Sequence, residues 1–329
     1  MLTWPLRRNT TVVVLVGTGL LGACSGMVGS FAVLRRRALM GDALAHAALP
    51  GVCLAFLVVG ERSLPALLCG ALVTGILGVL IISGLRFGTR IKEDAAIGIV
   101  LSVFYGAGIA LSRTIQNQTT RGSRAGLNSY ILGKTSWMVA ADVYVIAGAS
   151  LFSLLLILLL YKEFKVVSFD AGFAHVQGWP AARLDLMLML MVAVTVVFGL
   201  PVVGVVLMAA LLIIPAAAAR FWTDRLGMML AVAAFFGALT GAAGTLASSR
   251  FAWSTGPSIV LVGAGLFVAS MLFGPRRGIL RQLWIERQFR RGVAEESLLR
   301  RIFSMVETQS RDDCSFSLAA LGGETVALR

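Results

Sequence analysis

Asp42 and His46 form the pair of side chains best suited to bind a cation. They lie four residues apart in the segment Met40-Gly-Asp-Ala-Leu-Ala-His-Ala-Ala-Leu-Pro50, so on a helix they share one face. Inserting an ionisable side chain into a membrane-spanning helix costs about 2.5–3.5 kcal/mol on insertion scales, and such a side chain usually faces a cavity or a partner. A carboxylate with an imidazole suits divalent Mn, Fe or Zn. The spacing therefore predicts two metal ligands, with the remaining ligands supplied from elsewhere.

A structural role for this pair is the alternative. In that interpretation Asp42 lies near the membrane interface, where it caps its helix or pairs with Arg37, and His46 is its hydrogen-bond partner. Cys53 lies seven residues after His46 on the same face. As a small hydrophobic side chain, Cys53 is assigned to the core rather than to the ligand set.

A second polar segment, residues 169–179, separates two long apolar runs. Asp170 is a good N-cap, and Gly178 followed by Pro180 predicts that the helix ends after two turns. Such a helix is either a connector or the element through which a permease receives force from a nucleotide-binding partner. His175 is interpreted as a surface or interface residue. The candidate coupling residues are Phe169, Asp170, Phe173, Ala174, Gln177 and Gly178.

The amino-acid composition indicates a membrane protein, in which lipid surrounds the segments that carry these residues. Of the 329 residues, 58% are hydrophobic and 14% are charged, whereas a soluble domain has about 25% charged residues. The formal net charge is +13, and the 29 Lys and Arg residues lie mainly between the apolar runs and after residue 275. We interpret this charge as a topology signal, with the lipid bilayer rather than nucleic acid as the partner.

The apolar runs predict an all-α, polytopic bundle of about nine spans. The sixth and seventh are nearly continuous, and only Gly199, Pro201 and Gly204 suggest a break, so eight spans is the alternative count. Two Gly-x-x-x-Gly pairs, at 22 and 26 and at 237 and 241, predict close helix packing. The runs are 11–34, 38–60, 64–83, 94–112, 142–161, 184–199, 201–219, 226–247 and 256–273.

The basic loops predict the orientation of the chain. If the loop at 35–37 is cytoplasmic, the N-terminus is outside and the C-terminal tail is inside. The expected domains are a transmembrane permease domain at 1–275 and a short, basic, partly helical cytoplasmic tail at 276–329.

Several enzyme motifs are missing from the sequence. Gly133-Lys134-Thr135 looks like the end of a phosphate-binding loop, but Asn128 stands where that loop needs its first glycine. Neither HExxH nor GxSxG occurs. We therefore expect no catalytic activity and no permanently bound cofactor.

Five blocks of the sequence together resemble the manganese/zinc/iron ABC transporter permeases. They occur in the family's order and span most of the chain from about residue 10 to 275. The blocks are Ser30 to Gly51, Glu93 to Val100, Leu127 to Gly133, Phe169 to Gly178 and Leu211 to Arg220.

The resemblance implies a bacterial inner-membrane importer subunit that opens alternately to each side. Its expected partners are a second permease, identical or paralogous, cytoplasmic ABC ATPase subunits and an extracytoplasmic metal-binding protein. By position, Asp42 and His46 match the family's acidic and histidine residues, and 169–179 matches the coupling helix. Ala171 and Gly172 replace the usual Pro-Glu pair there, and Gln177 replaces a common Leu.

Two other functions fit parts of the sequence. A permease for an iron chelate or cobalamin would have a wide apolar cavity without metal ligands. A membrane sensor would signal through its cytoplasmic tail. Residue types alone do not distinguish Mn, Zn and Fe as the transported ion.

Overall fold

In a computed structural model of the chain, the described residues are 9–60, 63–118, 140–251, 253–282, 284–286 and 296–300. Every regular element among them is helical. The predicted block at 127–133 lies outside these residues. Two compact units are present, Met1–Gly278 and Ile279–Arg329, and the first contains all the helices that position the candidate site.

Eleven helices form the first unit within the described ranges. They are α1 (Asn9–Leu34), α2 (Met40–Val59), α3 (Leu64–Gly88), α4 (Glu93–Gln118), α5 (Ala140–Leu159), α6 (Tyr161–Phe169), α7 (Ala171–Val176), α8 (Ala181–Val203), α9 (Val205–Arg220), α10 (Leu226–Phe251) and α11 (Thr255–Phe273). Eight of these are long and apolar enough to cross a membrane, and the apolar part of α9, Leu207–Arg220, is shorter. The all-α, polytopic prediction of eight or nine spans is confirmed.

The boundary between α8 and α9 is at Gly204. Its backbone has φ +83° and ψ 166°, a conformation that a residue with a Cβ rarely adopts. The Gly204 amide still donates to the Leu200 carbonyl at 2.9 Å, and its carbonyl accepts from the Met208 amide at 3.0 Å. The break predicted from three candidate residues is therefore made by Gly204, while Pro201 lies within the last turn of α8.

Helices α1 and α10 are in backbone contact along a line of glycines. A Cβ added to Gly22 would lie 2.2 Å from the Gly237 carbonyl oxygen, and one added to Gly241 would lie 2.4 Å from that of Thr18. The Thr18 hydroxyl also lies 3.0 Å from that of Thr245. The two Gly-x-x-x-Gly pairs thus serve close packing of α1 against α10, as predicted.

Ends of helices α1, α6, α9 and α10 lie together at one end of the bundle. We call it the basic end, because the arginines at 35–37 lie there. Phe31 near the end of α1 contacts Phe164 of α6, with ring centroids 5.7 Å apart. Leu34 packs against a cluster that contains Ala219 of α9 and Met229 of α10. The end of α9 therefore returns to the same end as the end of α1, as nine crossings require.

Helix α2 is held by close contacts to its neighbours. A Cβ on Gly51 would lie 2.1 Å from the Gly70 carbonyl oxygen of α3, and one on Gly108 of α4 would lie 2.8 Å from the Cβ of Leu49. Most of α2 from Met40 to Cys53 is buried. Packing against α3 and α4 therefore fixes the orientation of α2 and, with it, the face that carries Asp42 and His46.

Candidate metal site and its connections

Asp42 and His46 are brought together on α2. The His46 Nε2 atom lies 3.5 Å from Asp42 Oδ1, with side-chain exposures of 21% and 36%. Asp42 is in the first turn of the helix, where a negative charge is favoured by the helix dipole. The N-cap position is Leu39, and it makes no side-chain capping bond. The pair is thus set up on one face, as the spacing predicts.

His46 also contacts an aromatic ring on α4. The His46 and Tyr105 ring centroids are 4.6 Å apart with an interplanar angle of 71°. The buried His46 Nδ1 atom has no hydrogen-bond partner among the described residues. A buried polar atom without a partner is costly, so this ring nitrogen is a candidate donor atom for a bound ion. The Tyr105 contact could not be found from sequence, because 59 positions separate the two residues.

Asp42 and His46 are two candidate ligands and do not form a complete metal site within the described part of the chain. No group of three His, Cys, Asp or Glu residues there lies close enough to hold a metal ion. Cys53 is 2% exposed, and its thiol points to the Gly108 carbonyl at 3.7 Å, which agrees with its assignment to the core. A metal ion bound to Asp42 and His46 would therefore need ligands beyond the His, Cys, Asp and Glu side chains of the described residues.

Arg37 does not serve as the partner of Asp42. Its Nη1 donates to Asp185 Oδ1 at 2.8 Å, and its Nη2 donates to Asp185 Oδ2 at 2.9 Å. Nη2 also donates to Glu93 Oε2 at 3.1 Å. The alternative that paired Asp42 with Arg37 is therefore wrong, because two other carboxylates occupy this guanidinium.

The ion-pair cluster at the basic end comprises Arg35, Arg37, Arg86, Glu93 and Asp185. Asp185 also pairs with Arg35 and accepts from Arg86 Nη1 at 2.6 Å. Its side chain is only 4% exposed. Burial lowers the pKa of the Arg35 guanidinium from its ordinary value, and the Asp185 carboxylate opposes this shift. Sequence reasoning missed the cluster, although an acid four residues inside an apolar helix was a usable signal.

The segment 169–179 forms the short helix that the sequence predicts. The Asp170 side chain accepts from the Phe173 amide at 2.9 Å, which confirms Asp170 as the N-cap of α7. Gln177 is the C-cap, and Gly178 follows with φ +80°. The helix is therefore capped at both ends by its own sequence.

The side chains of this segment divide into buried and exposed groups. Ala174 is fully buried and belongs to the main core, so it anchors α7 rather than contacting a partner. Gln177 and His175 are exposed. The exposed large apolar side chains form the α7 surface: Phe169 at 60%, Phe173 at 51%, Val176 at 87% and Trp179 at 39%. Val176 and Trp179 are additions to the predicted set.

The fold and the site together define a polytopic, all-α membrane protein with a carboxylate–imidazole pair in one span. The sequence profile of the ABC 3 transport family matches residues 7–274. The chain belongs to this family, which confirms the predicted resemblance.

Characterised relatives agree with this assignment. The chain is 45% identical to the manganese transport system membrane protein MntC of Bacillus subtilis over 92% of this chain and 69% of that protein. It is 44% identical to the zinc transport system membrane protein TroC of Treponema pallidum over 84% and 92%. It is also similar to PsaBC from Streptococcus pneumoniae, solved in complex with Fab, with a TM-score of 0.73, 31% identity and coverage of 84% and 96%.

Proposed function

We propose that this chain is the permease subunit of an ATP-driven importer of a divalent transition metal ion, namely Mn, Zn or Fe. The observation that carries the proposal is the Asp42–His46 pair on the tightly packed helix α2, with a buried ring nitrogen that has no hydrogen-bond partner among the described residues. The names of the manganese and zinc transport relatives support the same class of substrate. The metal is transported rather than retained as a cofactor.

A second permease copy would complete the metal site. Asp42 and His46 remain partly exposed in the single chain, yet ionisable groups in a membrane span face a partner or cavity. A two-fold axis beside this face of α2 would bring two carboxylates and two imidazoles together. Four ligands of this type can hold Mn, Zn or Fe. A paralogous permease with the same pair would serve equally.

The remaining partners follow from the two ends of the bundle. The positive-inside rule favours basic residues in the cytoplasm, so the basic end, with Arg35, Arg37 and Arg86, would be cytoplasmic. The N-terminus would then be outside and the tail inside. The α7 surface then faces the cytoplasm, where its exposed aromatic side chains would dock into separate ATPase subunits. An extracytoplasmic binding protein would deliver the ion to the opposite end.

The metal site is tested by measuring uptake of Mn²⁺, Zn²⁺ and Fe²⁺ in cells that express the complete transporter. Replacing both residues, D42A with H46A, should abolish uptake while the complex still assembles, because the ion loses both known ligands. The matched control is D224A, which removes an exposed carboxylate at 46% side-chain exposure. Unchanged uptake in the double variant contradicts the site.

The α7 surface is tested through ATP hydrolysis. F173A should lower transport-linked hydrolysis by weakening contact with the ATPase subunit, and Q177A should do so to a smaller extent. The matched control is F235A, an aromatic residue that is 64% exposed within the span α10, away from both ends of the helix. A complex with F173A that assembles and couples normally contradicts this docking surface.

A further inference from the structure

We propose that Asp185 is a positioning residue for transport, whose carboxylate connects the segment α6–α7 to the start of the metal-bearing helix α2. This inference rests on the proposed function, because it concerns how movement at the α7 surface reaches Asp42 and His46. The connection runs through Arg35 on one side and Arg37 on the other.

Arg35 makes the connection to α6. Its Nη1 donates to the Val167 carbonyl at 2.6 Å, and its other terminal nitrogen pairs with Asp185 Oδ1. Val167 is 2% exposed and lies three residues before Asp170, the N-cap of α7. One guanidinium therefore holds the backbone beside the α7 surface and the side chain of α8 at the same time.

Arg37 makes the connection to α2. Its guanidinium forms a two-pronged contact with both Asp185 oxygens, at 2.8 and 2.9 Å. Its own carbonyl accepts from the Met40 amide at 3.1 Å, at the first residue of α2. Asp42 lies two residues further along. A shift of Asp185 relative to the bundle would therefore move the start of the helix that carries the metal pair.

Arg36 sets the directions of its two neighbours. It is the one residue other than glycine with a positive φ among the described residues, at 59°. Its side chain is exposed, whereas the side chains of Arg37 and Arg35 are only 6% and 11% exposed. The turn thus directs Arg35 and Arg37 toward Asp185 and leaves Arg36 outside the cluster.

Burial and charge make this cluster a stiff connection. Charge-assisted, two-pronged bonds are stronger than neutral ones and fix geometry as well as distance. The cluster contains three guanidinium groups and two carboxylates. Its members outside Arg35, Arg37 and Asp185 are Arg86 of α3 and Glu93 of α4. Separating any pair would leave a charge in a poorly hydrated place. The ends of α1, α3, α4, α6 and α8 therefore tend to move as one group.

The experiment measures the ratio of Mn²⁺ ions imported to ATP hydrolysed. The permease, its ATPase subunits and its binding protein are reconstituted together in proteoliposomes. A cluster that only stabilises the fold would change the number of active complexes but leave this ratio unchanged. Asp185→Asn should instead lower the ratio at least about tenfold, within the usual range for coupling between sites. Asp185→Glu, which keeps the charge, should recover most of it.

Two controls match these variants. Asp224→Asn removes a carboxylate that pairs with Arg276 and Arg277 but is exposed, and its ratio should equal that of the wild type. Arg35→Met keeps much of the side-chain stem and leaves Asp185 its other two arginines, so it decides the question if Asp185→Asn fails to assemble. Its ratio should fall, whereas Arg36→Met next to it should have no effect.

The outcomes separate the two proposals. An assembled Asp185→Asn complex with the wild-type ratio, or an assembled Arg35→Met complex with that ratio, overturns the role of Asp185. Neither result affects the assignment of the chain as a metal permease. A wild-type complex that imports none of Mn²⁺, Zn²⁺ and Fe²⁺ contradicts the proposed function, and this inference with it.

Discussion

Two carboxylates near the basic end differ in how far their charge is satisfied. Asp185 is 4% exposed in its side chain and contacts three arginines, whereas Asp42 is 36% exposed and has His46 as its one ion-pair partner among the described residues. Both lie within the first turns of an apolar helix. A carboxylate enclosed by three guanidinium groups has no free lone pairs for a cation. The less satisfied carboxylate is therefore the one available to a metal ion.

The same contrast separates stability from binding. Removing one partner of a buried ion pair leaves an uncompensated charge and costs about 3–5 kcal/mol. Removing a partly exposed carboxylate costs far less, because water or a partner can replace the lost contact. Substitutions at the two aspartates should therefore affect different measurements.

The largest effect on function is expected for metal binding at Asp42. D42N should weaken Mn²⁺ binding to the assembled transporter on the order of 100-fold, since even residues that only support a ligand contribute 10–100-fold. Its melting temperature should stay near that of the wild type. Isothermal titration with Mn²⁺ and a thermal melt of the same sample check both values. A large loss of stability in D42N would remove the contrast with Asp185.

The largest effect on stability is expected at Asp185. D185N should lower the free energy of unfolding by about 3–5 kcal/mol, because Arg35, Arg37 and Arg86 lose their shared counter-charge. Thermal melts in detergent, compared with D224N, measure this loss. D224N should change the free energy by less than about 1 kcal/mol, since its pairs are solvent-exposed. Similar melting temperatures for the two variants would show that burial does not distinguish them.

A smaller effect is expected where α1 meets α10. G22A places a Cβ 2.2 Å from the Gly237 carbonyl oxygen and should cost about 1–3 kcal/mol through overpacking. G19A on the same helix is the control, because its Cβ would lie 3.8 Å from the nearest atom. Alanine favours a helix over glycine by up to about 1 kcal/mol, so G19A should be neutral or slightly stabilising. Equal losses in both variants would contradict the close packing.

The smallest effect is expected at Arg36. R36G relieves the left-handed backbone and should change the free energy of unfolding by less than about 1 kcal/mol. R36V, with a branched Cβ in the same conformation, should lower it by about 1–2 kcal/mol. Chemical denaturation of the two variants measures the difference. Stability that is greater in R36V than in R36G would contradict the strained turn that separates Arg35 from Arg37.

The local features of the site were accessible from the sequence because they depend on short spacings. Asp42 and His46 share a face through the helical period, and Asp170 caps α7 through its own side chain. The apolar runs predicted the membrane helices, because crossing a bilayer demands length and hydrophobicity within one segment. The family resemblance followed from the same continuous blocks. These elements needed no knowledge of tertiary contacts.

Tertiary structure decided the partners of the charged groups. Asp185 is separated from Arg37 by 148 positions and from Arg86 by 99, so no local pattern predicted their contact. The sequence alone left Arg37 as a candidate partner for Asp42, and it assigned Ala174 to the coupling surface although that residue is buried. Packing chooses among such pairings, because the energy of a charge depends on which distant groups and how little water surround it. The sequence determined the position of each charged residue along its helix. The fold determined that arginines enclose Asp185 and that Asp42 stays partly exposed.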